Sequence, residues 1–487
     1  MARMVQTPST EVTAARNPAR RPPHVWAVVL AACAGQFLVV LDVSVVNVAL
    51  PSMRQDLGLS AVGLQWVLNA YTLTFAGFML LGGRAGDLFG RKRMFLVGLG
   101  VFVAASLAGG LAQDGWQLLA ARAAQGIGAA VLAPSTLTIL TTSFPEGAAR
   151  TRAIATWTAV GAGGGAAGAL VGGVLTDVLS WRWVLLINVP VGALVLLAAA
   201  LWVTEKRLGG RRRLDLPGAL LVTGGLSTVA YGIVQTETSG WASPHALGPL
   251  AGGLLVLGLF LVLEARTRVP LVPLQLFRLR SVSAANLAMF VNGAAMFCMW
   301  YFMSLYMQNV LGYTPLRAGL AFVPQSLSIV VGSKLAPVVM HRIGARRLAV
   351  TGALVAAVGY FWQTGMHADG TYASTVLGPG VLMALGAGLS ATPLATVATA
   401  GADPRDAGLV SGLITTSRTM GGALGLAALS TVAASRSHGG GPARLAEGYA
   451  LAFGTGGCLL VASAILMIAV LPEAEHAKQA GAGVRSA

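Results

Sequence analysis

The feature that most constrains this chain is a series of fourteen apolar stretches, each long enough to cross a lipid bilayer. A helix of about 20 apolar residues spans a hydrocarbon core of roughly 30 Å. The stretches lie approximately at residues 25–50, 61–81, 94–112, 116–140, 153–176, 183–203, 214–235, 246–265, 282–307, 315–338, 347–366, 374–399, 408–432 and 448–471. Because a helix satisfies its own backbone hydrogen bonds in lipid, we predict an all-α polytopic membrane protein with fourteen transmembrane helices.

The composition agrees with a membrane protein and excludes a water-soluble globule. Of the 487 residues, 55% are hydrophobic and only 10% are charged, whereas soluble domains carry about 25% charged residues. The 63 glycines suit helices that pack closely in lipid. The cysteines, Cys33, Cys298 and Cys458, all lie in apolar stretches, so a disulfide framework is not expected.

The distribution of lysine and arginine predicts the orientation in the membrane. Of the 33 basic residues, 25 fall on the side of the N-terminus and five on the opposite side. Short loops rich in Lys and Arg stay in the cytoplasm, so both termini are predicted to be cytoplasmic. The net charge of +16 therefore reflects the orientation of the chain in the membrane. The expected partner is the lipid bilayer, and nucleic-acid binding is not predicted.

The same charges suggest how the chain is divided. A basic cluster at residues 211–213 separates the first six stretches from the rest. We predict a cytoplasmic arm at residues 1–24, a six-helix bundle at 25–203, a linker at 204–281 with two inserted spans, a second six-helix bundle at 282–471 and a cytoplasmic tail at 472–487.

Asp42 is a carboxylate in an otherwise uncharged spanning stretch, where a charge costs roughly 2.5–3.5 kcal/mol on insertion scales. It lies eight residues before Leu50, about 12 Å deep. Arg122 lies six residues after Trp116, about 9 Å deep from the same side. We predict that the two charges form a pair that handles protons or ions. The alternative is an aspartate that only fixes helix packing.

Uncharged polar residues of the first and fourth spans are candidates for lining a substrate cavity. Gln36 and Asn47 are eleven positions apart, which returns to within about 20° on a helix, while Asp42 points elsewhere. These two residues and Gln125 of the fourth span are the candidates. A small polar packing seam is the competing interpretation.

Two further cations lie within spans of the second half. Arg418 is about ten residues into its span, near the middle of the membrane, and we predict that it faces the cavity. Hydrogen bonds to backbone carbonyls are the alternative. Lys334 lies near the cytoplasmic end of its span, where a long side chain reaches the interface.

A glycine-rich basic segment joins the second and third spans. Residues 82–93 read GGRAGDLFGRKR, and we predict a cytoplasmic gate loop with a tight glycine turn and an aspartate that caps a helix. The residues assigned to this loop are Gly83, Asp87, Gly90, Arg91 and Lys92.

Six motifs in order resemble those of one family. The segment 82–93 resembles the loop signature of the major facilitator superfamily. LDVSVVNVALP at 41–51, RAAQGIGAA at 122–130, WRW at 181–183, INVP at 187–190 and DAGLVSGL at 406–413 are similar to its fourteen-span drug:proton antiporters. The resemblance covers nearly the whole chain and implies the major facilitator fold, two six-helix bundles plus two inserted spans.

The fifth span departs from that family at one position. Gly164, Gly168, Gly172 and Gly173 match the antiporter signature, but Ala169 stands where the family has proline. Glycine at every fourth position lets helix backbones approach closely. We therefore interpret these glycines as helix-packing residues.

The resemblance and the charges together suggest a function. We expect a proton-coupled antiporter, not an enzyme, that exports a drug or antibiotic by alternating access, with the proton gradient as its energy source, no cofactor and no metal. One central acid against Arg122 and Arg418 favours hydrophobic substrates that are anionic, zwitterionic or neutral. We expect a monomer in an actinobacterial cytoplasmic membrane. A proton-coupled symporter importing a small metabolite is the alternative.

Overall fold

The computed structural model describes residues 25–144, 148–203, 214–240, 242–267, 270–400, 407–437 and 441–471, and the regular elements in these ranges are all helices. The predicted N-terminal arm at 1–24, the tail at 472–487 and the basic cluster at 211–213 lie outside the described residues.

The first half forms one bundle. Its helices are α1 (Val25–Leu57), α2 (Ala61–Phe89), α3 (Arg91–Gly110), α4 (Gly115–Ser143), α5 (Ala148–Val178), the short α6 (Trp183–Leu186) and α7 (Asn188–Trp202). α4 packs along both α2 and α3, and α1 packs along α5. α4 and α7 also contact α1, so α1 packs against several helices of its bundle.

The second half begins with a helix pair and continues as a second bundle. The pair is α8 (Leu216–Ser239) and α9 (Pro244–Arg266), followed by a 3-10 turn at Leu274–Arg278. The bundle comprises α10 (Arg280–Leu305), α11 (Pro315–Ala321), α12 (Val323–Ile343), α13 (Ala345–Gln363), α14 (Gly378–Ala400), α15 (Ala407–Ser437) and α16 (Pro442–Val470). Single π-helical turns, Tyr306–Val310 and Ala373–Leu377, follow α10 and precede α14.

Twelve membrane spans follow from helix length and apolar composition in the described residues, two fewer than predicted. In this count α6 with α7 and α11 with α12 each form one span. The two remaining long helices are α13, which has Arg346 and Arg347 in its first turn, and α15, which contains Arg418. These arginines lower the mean hydropathy of helices that otherwise have spanning length.

The prediction of a loop conformation is wrong for Gly83 and Asp87. Both residues lie within α2, which continues to Phe89. The side chain of Asp87 lies outside what is described. Gly90 alone is non-helical, with φ 101° and ψ 136°, and Arg91 and Lys92 already belong to α3. Only glycine adopts this backbone conformation readily, so the connection is a joint of one residue.

The physical reason for the longer helix is close packing. A Cβ atom at Gly82 would lie 2.8 Å from the carbonyl carbon of Ala130 on α4. A glycine inside a helix can serve close approach to a neighbour rather than a turn. Gly82 therefore permits close contact of α2 with α4, and it does not end the helix.

Hydrogen bonds join the two bundles at the end of the molecule that carries the turn between α1 and α2, here named the α1–α2 end. Ser304 of α10 donates a hydrogen bond of 2.8 Å to the carbonyl of Asn47, and Gln308 donates one of 2.9 Å to the carbonyl of Val48. Gly173 of α5 lies against the backbone of Pro315 in α11. Backbone contacts thus join the bundles at this end.

The inserted pair covers the seam between the bundles on one side. α8 packs on α2 and on α15, and Leu226 and Phe260 of the pair form an apolar cluster with Leu73 and Ala423. At the opposite end from the α1–α2 turn, Arg84 donates a 3.0 Å hydrogen bond to the carbonyl of Pro270. The inserted pair is therefore attached to both bundles.

Candidate functional site

Asp42 lies at the centre of a buried polar network in the first bundle. Arg122 Nη1 lies 2.6 Å from its Oδ2 in an ion pair, and both side chains are almost sealed from solvent, with exposed fractions of 0% and 1%. Gln125 Nε2 donates to Oδ1 at 2.7 Å, and Asn188 Nδ2 donates to the same oxygen at 3.1 Å. The carboxylate therefore accepts three hydrogen bonds, one of them from its counter-ion.

The guanidinium of Arg122 is held on several sides. Besides Asp42, it donates at 2.6 Å to Gln125 Oε1 and at 3.1 Å to the carbonyl of Val67 on α2. Its Cζ lies 4.4 Å from the centre of the Tyr71 ring, a cation–π distance. Such contacts offset the cost of burying a charge, so the pair is held in one geometry.

Two residues of this network, Ser106 and Asn188, were not among the predicted site residues. Ser106 accepts a hydrogen bond of 2.8 Å from Gln125, and Asn188 approaches the same oxygen at 3.4 Å. Both are completely buried. Asn188 is the first residue of α7, after the break at Ile187 that ends α6. This break places its amide beside Asp42.

Glycines of α4 bring the network together. A Cβ atom at Gly128 would lie 2.6 Å from the backbone nitrogen of Phe102 on α3, and one at Gly126 would overlap the carbonyl of Tyr71 on α2. Small residues allow such close approach of helices. α4 can therefore place Arg122 and Gln125 within hydrogen-bond reach of α1, α2 and α3.

The glycines of α5 contact two different partners. Cβ atoms at Gly164, Gly168 and Gly172 would each meet α1, with Ser44 Cβ at 2.6 Å from Gly168. Ser44 also donates a 2.7 Å hydrogen bond to the carbonyl of Gly165. Gly173 instead lies against α11 of the second bundle.

The predicted cavity residues of the first bundle do not form one group. Asn47 is buried and bonds to the carbonyl of Val43 in its own helix, near the contact with α10. Gln125, with 1% exposure, belongs to the ion-pair network. Both side chains are therefore closed off from solvent in this structure. Gln36 is half-buried beside Gly161, and its Oε1 atom is without a hydrogen-bond partner.

The two cations of the second bundle differ in their surroundings. Lys334 is exposed on α12, as expected for a side chain that reaches the interface. Arg418 is half-buried in the middle of α15, and among the described residues it forms neither an ion pair nor a hydrogen bond. The structure therefore does not place it with Asp42.

The arrangement around Asp42 sets a single carboxylate against a single guanidinium. Protonation would remove the charge that attracts Arg122, and deprotonation would restore it. The surrounding amides can donate or accept, so they can adapt to either state. In the described parts of the chain, no three His, Cys, Asp or Glu side chains come together as a metal site.

Comparisons with known proteins agree with this architecture. Residues 32–426 and 287–486 match the Major Facilitator Superfamily. The chain is 51% identical over 443 residues to the cephamycin export protein CmcT of Amycolatopsis lactamdurans, covering 90% of each. It is 40% identical over 455 residues to the puromycin resistance protein pur8 of Streptomyces alboniger, again covering 90% of each.

A solved structure shows the same fold at low identity. A bacterial homologue of the human lysosomal transporter Spinster superposes with a TM-score of 0.61 at 18% identity, covering 92% of this chain and 96% of that one. At this identity the likeness concerns the fold alone. The profile match across both bundles, together with the close relatives, shows that this chain is a multi-span membrane transporter of the Major Facilitator Superfamily.

Proposed function

We propose that this protein is a proton-coupled antiporter that exports an antibiotic across the bacterial cytoplasmic membrane. The observation that carries the proposal is the carboxylate of Asp42, which is buried inside a transporter bundle and paired with Arg122. Relatives named for cephamycin export and puromycin resistance support export as the direction of transport. Both come from actinobacteria, which supports a similar source for this chain.

The proposal includes fourteen spans, with both termini in the cytoplasm. α13 packs along α14 and α16, and α15 packs along α10, so each lies among helices that have spanning character. Two bundles at 25–203 and 282–471 with the inserted pair between them account for this packing, and one copy of the chain suffices. The α1–α2 end would then face outside.

Alternating access follows from where the bundles touch. The contacts of Asn47 with Ser304 and of Gly173 with Pro315 close the external end. A proton that reaches Asp42 when the external side opens weakens the pair with Arg122, and its release on the cytoplasmic side restores the pair. The joint Gly90, with Arg91 and Lys92, lies on the cytoplasmic side and serves as part of the gate.

The substrate is proposed to be hydrophobic and anionic, zwitterionic or neutral. Of the acids buried in the described residues, Asp42, Asp215 and Glu264, only Asp42 lies in one of the two bundles. Against this one acid, two arginines lie in the middle of bundle helices, the buried Arg122 and the half-buried Arg418. This balance of charge favours compounds without excess positive charge.

The experiment is transport into inside-out vesicles with an imposed pH gradient, acid inside. Wild-type protein is expected to accumulate a cephamycin or puromycin and to release protons from the vesicle lumen. Asp42→Asn keeps the size of the side chain but cannot carry a proton, so gradient-driven accumulation should fall to the level of empty vesicles.

The matched control is Asp369→Asn, which removes an exposed carboxylate and should leave transport unchanged. Immunoblots of the vesicle membranes are used to check that each variant is present in equal amount. Accumulation by Asp42→Asn at the wild-type rate would refute proton coupling through this residue.

A further inference from the structure

Arg418 is a cation inside the second bundle for which the described protein supplies no counter-ion. It lies eleven residues after Ala407, the start of α15, which corresponds to about 16 Å along the helix axis. That distance is about half of a hydrocarbon core of roughly 30 Å. A charge at this depth is costly unless an opposite charge or strong acceptors approach it.

The position of α15 shows that this cation does not face lipid. α15 packs against α2, α8, α10, α14 and α16, and every residue from Gly412 to Ala434 is buried or half-buried. The exposed part of the Arg418 side chain therefore opens into the space between helices.

Three polar neighbours of Arg418 on its own helix are bonded elsewhere, and a fourth, the buried Thr416, has no hydrogen-bond partner among the described residues. Ser417 donates at 2.8 Å to Asn286 of α10, whose amide donates to the carbonyl of Val282. Thr415 and Thr419 donate to carbonyls one turn earlier in α15. Ser417 thus links α15 to α10, and none of these side chains bonds to the guanidinium of Arg418.

The buried acids of the described chain are also engaged. Asp42 is paired with Arg122, Asp215 accepts from the backbone nitrogen of Gly218, and Glu264 accepts from the backbone nitrogens of Leu271 and Val272. None of them bonds to Arg418. Because no acid of the described residues pairs with Arg418, a transported molecule can supply the counter-charge.

We propose that Arg418 binds an acidic group of the substrate, a carboxylate, and so selects acidic compounds for export. A guanidinium presents two parallel donors that match the two oxygens of a carboxylate. This proposal rests on the proposed export function and adds the chemical class of the substrate. The close backbone contact of Arg418 with Gly293 fixes the position of the arginine relative to α10.

The test is equilibrium binding to purified protein in detergent, which does not depend on transport. The probes are a cephamycin with a free carboxyl group and the methyl ester of the same compound. Wild-type protein is expected to bind the acid about ten-fold more tightly than the ester, as one charge-assisted hydrogen bond provides. Arg418→Gln should bind both with the affinity that wild type shows for the ester.

Two further variants make the result specific. Arg418→Lys keeps the charge but lacks the planar pair of donors, so its preference for the acid should be intermediate. Arg444→Gln removes an exposed arginine that pairs with Glu447 and should retain the full preference. In the absence of ligand, the melting temperature of Arg418→Gln should be no lower than that of wild type, because the substitution removes a charge that lacks a partner.

A preference for the acid that persists in Arg418→Gln overturns the proposal, as does a wild type that binds acid and ester equally. Failure of the export function gives a different result. If only the export function is wrong, the preference for the acid over the ester still depends on Arg418 in the binding assay. Vesicles that contain wild-type protein then accumulate neither compound.

Discussion

At the scale of single residues, the carboxylate of Asp42 accepts three hydrogen bonds that two other helices supply. α1 carries the acid, α4 supplies Arg122 and Gln125, and α7 supplies Asn188. Because the donors belong to different helices, a shift of any one of them changes the number of bonds to the carboxylate. The charge state of one residue is thereby linked to the packing of the bundle.

Replacement of Asn188 by leucine should destabilise the protein although the new side chain is apolar and of similar size. The change removes a donor from a buried charged acceptor, and we expect the free energy of unfolding to fall by about 1.5–3 kcal/mol. Thermal unfolding of the purified protein, followed by tryptophan fluorescence, measures the effect.

The matched control is Asn47→Leu. Asn47 is also buried in the first bundle, but its amide bonds only to a carbonyl of its own helix. Its replacement should change the melting temperature little. Equal destabilisation by both variants would show that burial of any asparagine, rather than the bond to Asp42, determines the result.

The ion pair was predictable because depth in the membrane can be counted along a helix. The same count places Ser106 six residues before the end of its predicted span and Asn188 five residues into its own, about 9 and 8 Å deep. Both depths match that of Arg122. They were missed because uncharged polar residues are frequent in spans, whereas a charge is costly and therefore conspicuous.

At the scale of helices, the contact of α5 with α1 depends on the absence of side chains. Gly168 lies against Ser44, two residues after Asp42. A larger residue at this position would push apart the two helices beside the ion pair. Close packing of this kind supplies much of the attraction between helices in lipid.

The change Gly168→Ala should lower the free energy of unfolding by about 1–3 kcal/mol, because the added methyl group overpacks the contact. Gly163→Ala, on the same helix, adds the methyl group where no atom lies within 4 Å. There the higher helix propensity of alanine should stabilise by up to about 1 kcal/mol. Melting temperatures that shift in the same direction for both variants would contradict this assignment.

Helix ends were less predictable than helix contacts. In residues 82–93 the glycines suggested a turn, and the structure uses one of them, Gly90, as the joint. A glycine in a sequence indicates either a turn or a close contact, and only the neighbouring helix decides between the two. The position of α4 beside Gly82 was not available from the sequence.

At the scale of the whole molecule, the number of spans depends on α13 and α15. If both cross the membrane, the turn between α13 and α14 lies outside the cell and the turn between α12 and α13 lies inside. If α13 does not cross, both turns lie on the same side.

Cysteine labelling tests this topology. In a variant without Cys33, Cys298 and Cys458, a cysteine at the exposed position of Asp369 should react with a membrane-impermeant maleimide in intact cells. A cysteine in place of the exposed Arg342 should react only after the membrane is permeabilised. Labelling of both positions in intact cells, or of neither, excludes the fourteen-span arrangement.

Much of the architecture was predictable at this scale, because apolar length specifies a helix in lipid. The paths of the helices within each bundle were not, because in a bilayer no hydrophobic force favours one apolar helix face over another. The position of the inserted pair on α2 and α15 depends on shape complementarity, which hydropathy does not report.

The single-residue joint at Gly90 has a counterpart at Gly344, with φ 87° and ψ 157°, between α12 and α13. Such a short connection contains no slack, so neither helix of a pair can slide along its axis without displacing the other. Each pair must rotate as a stiff hairpin. A small rotation at the joint therefore moves the far ends of both helices, on the opposite side of the membrane.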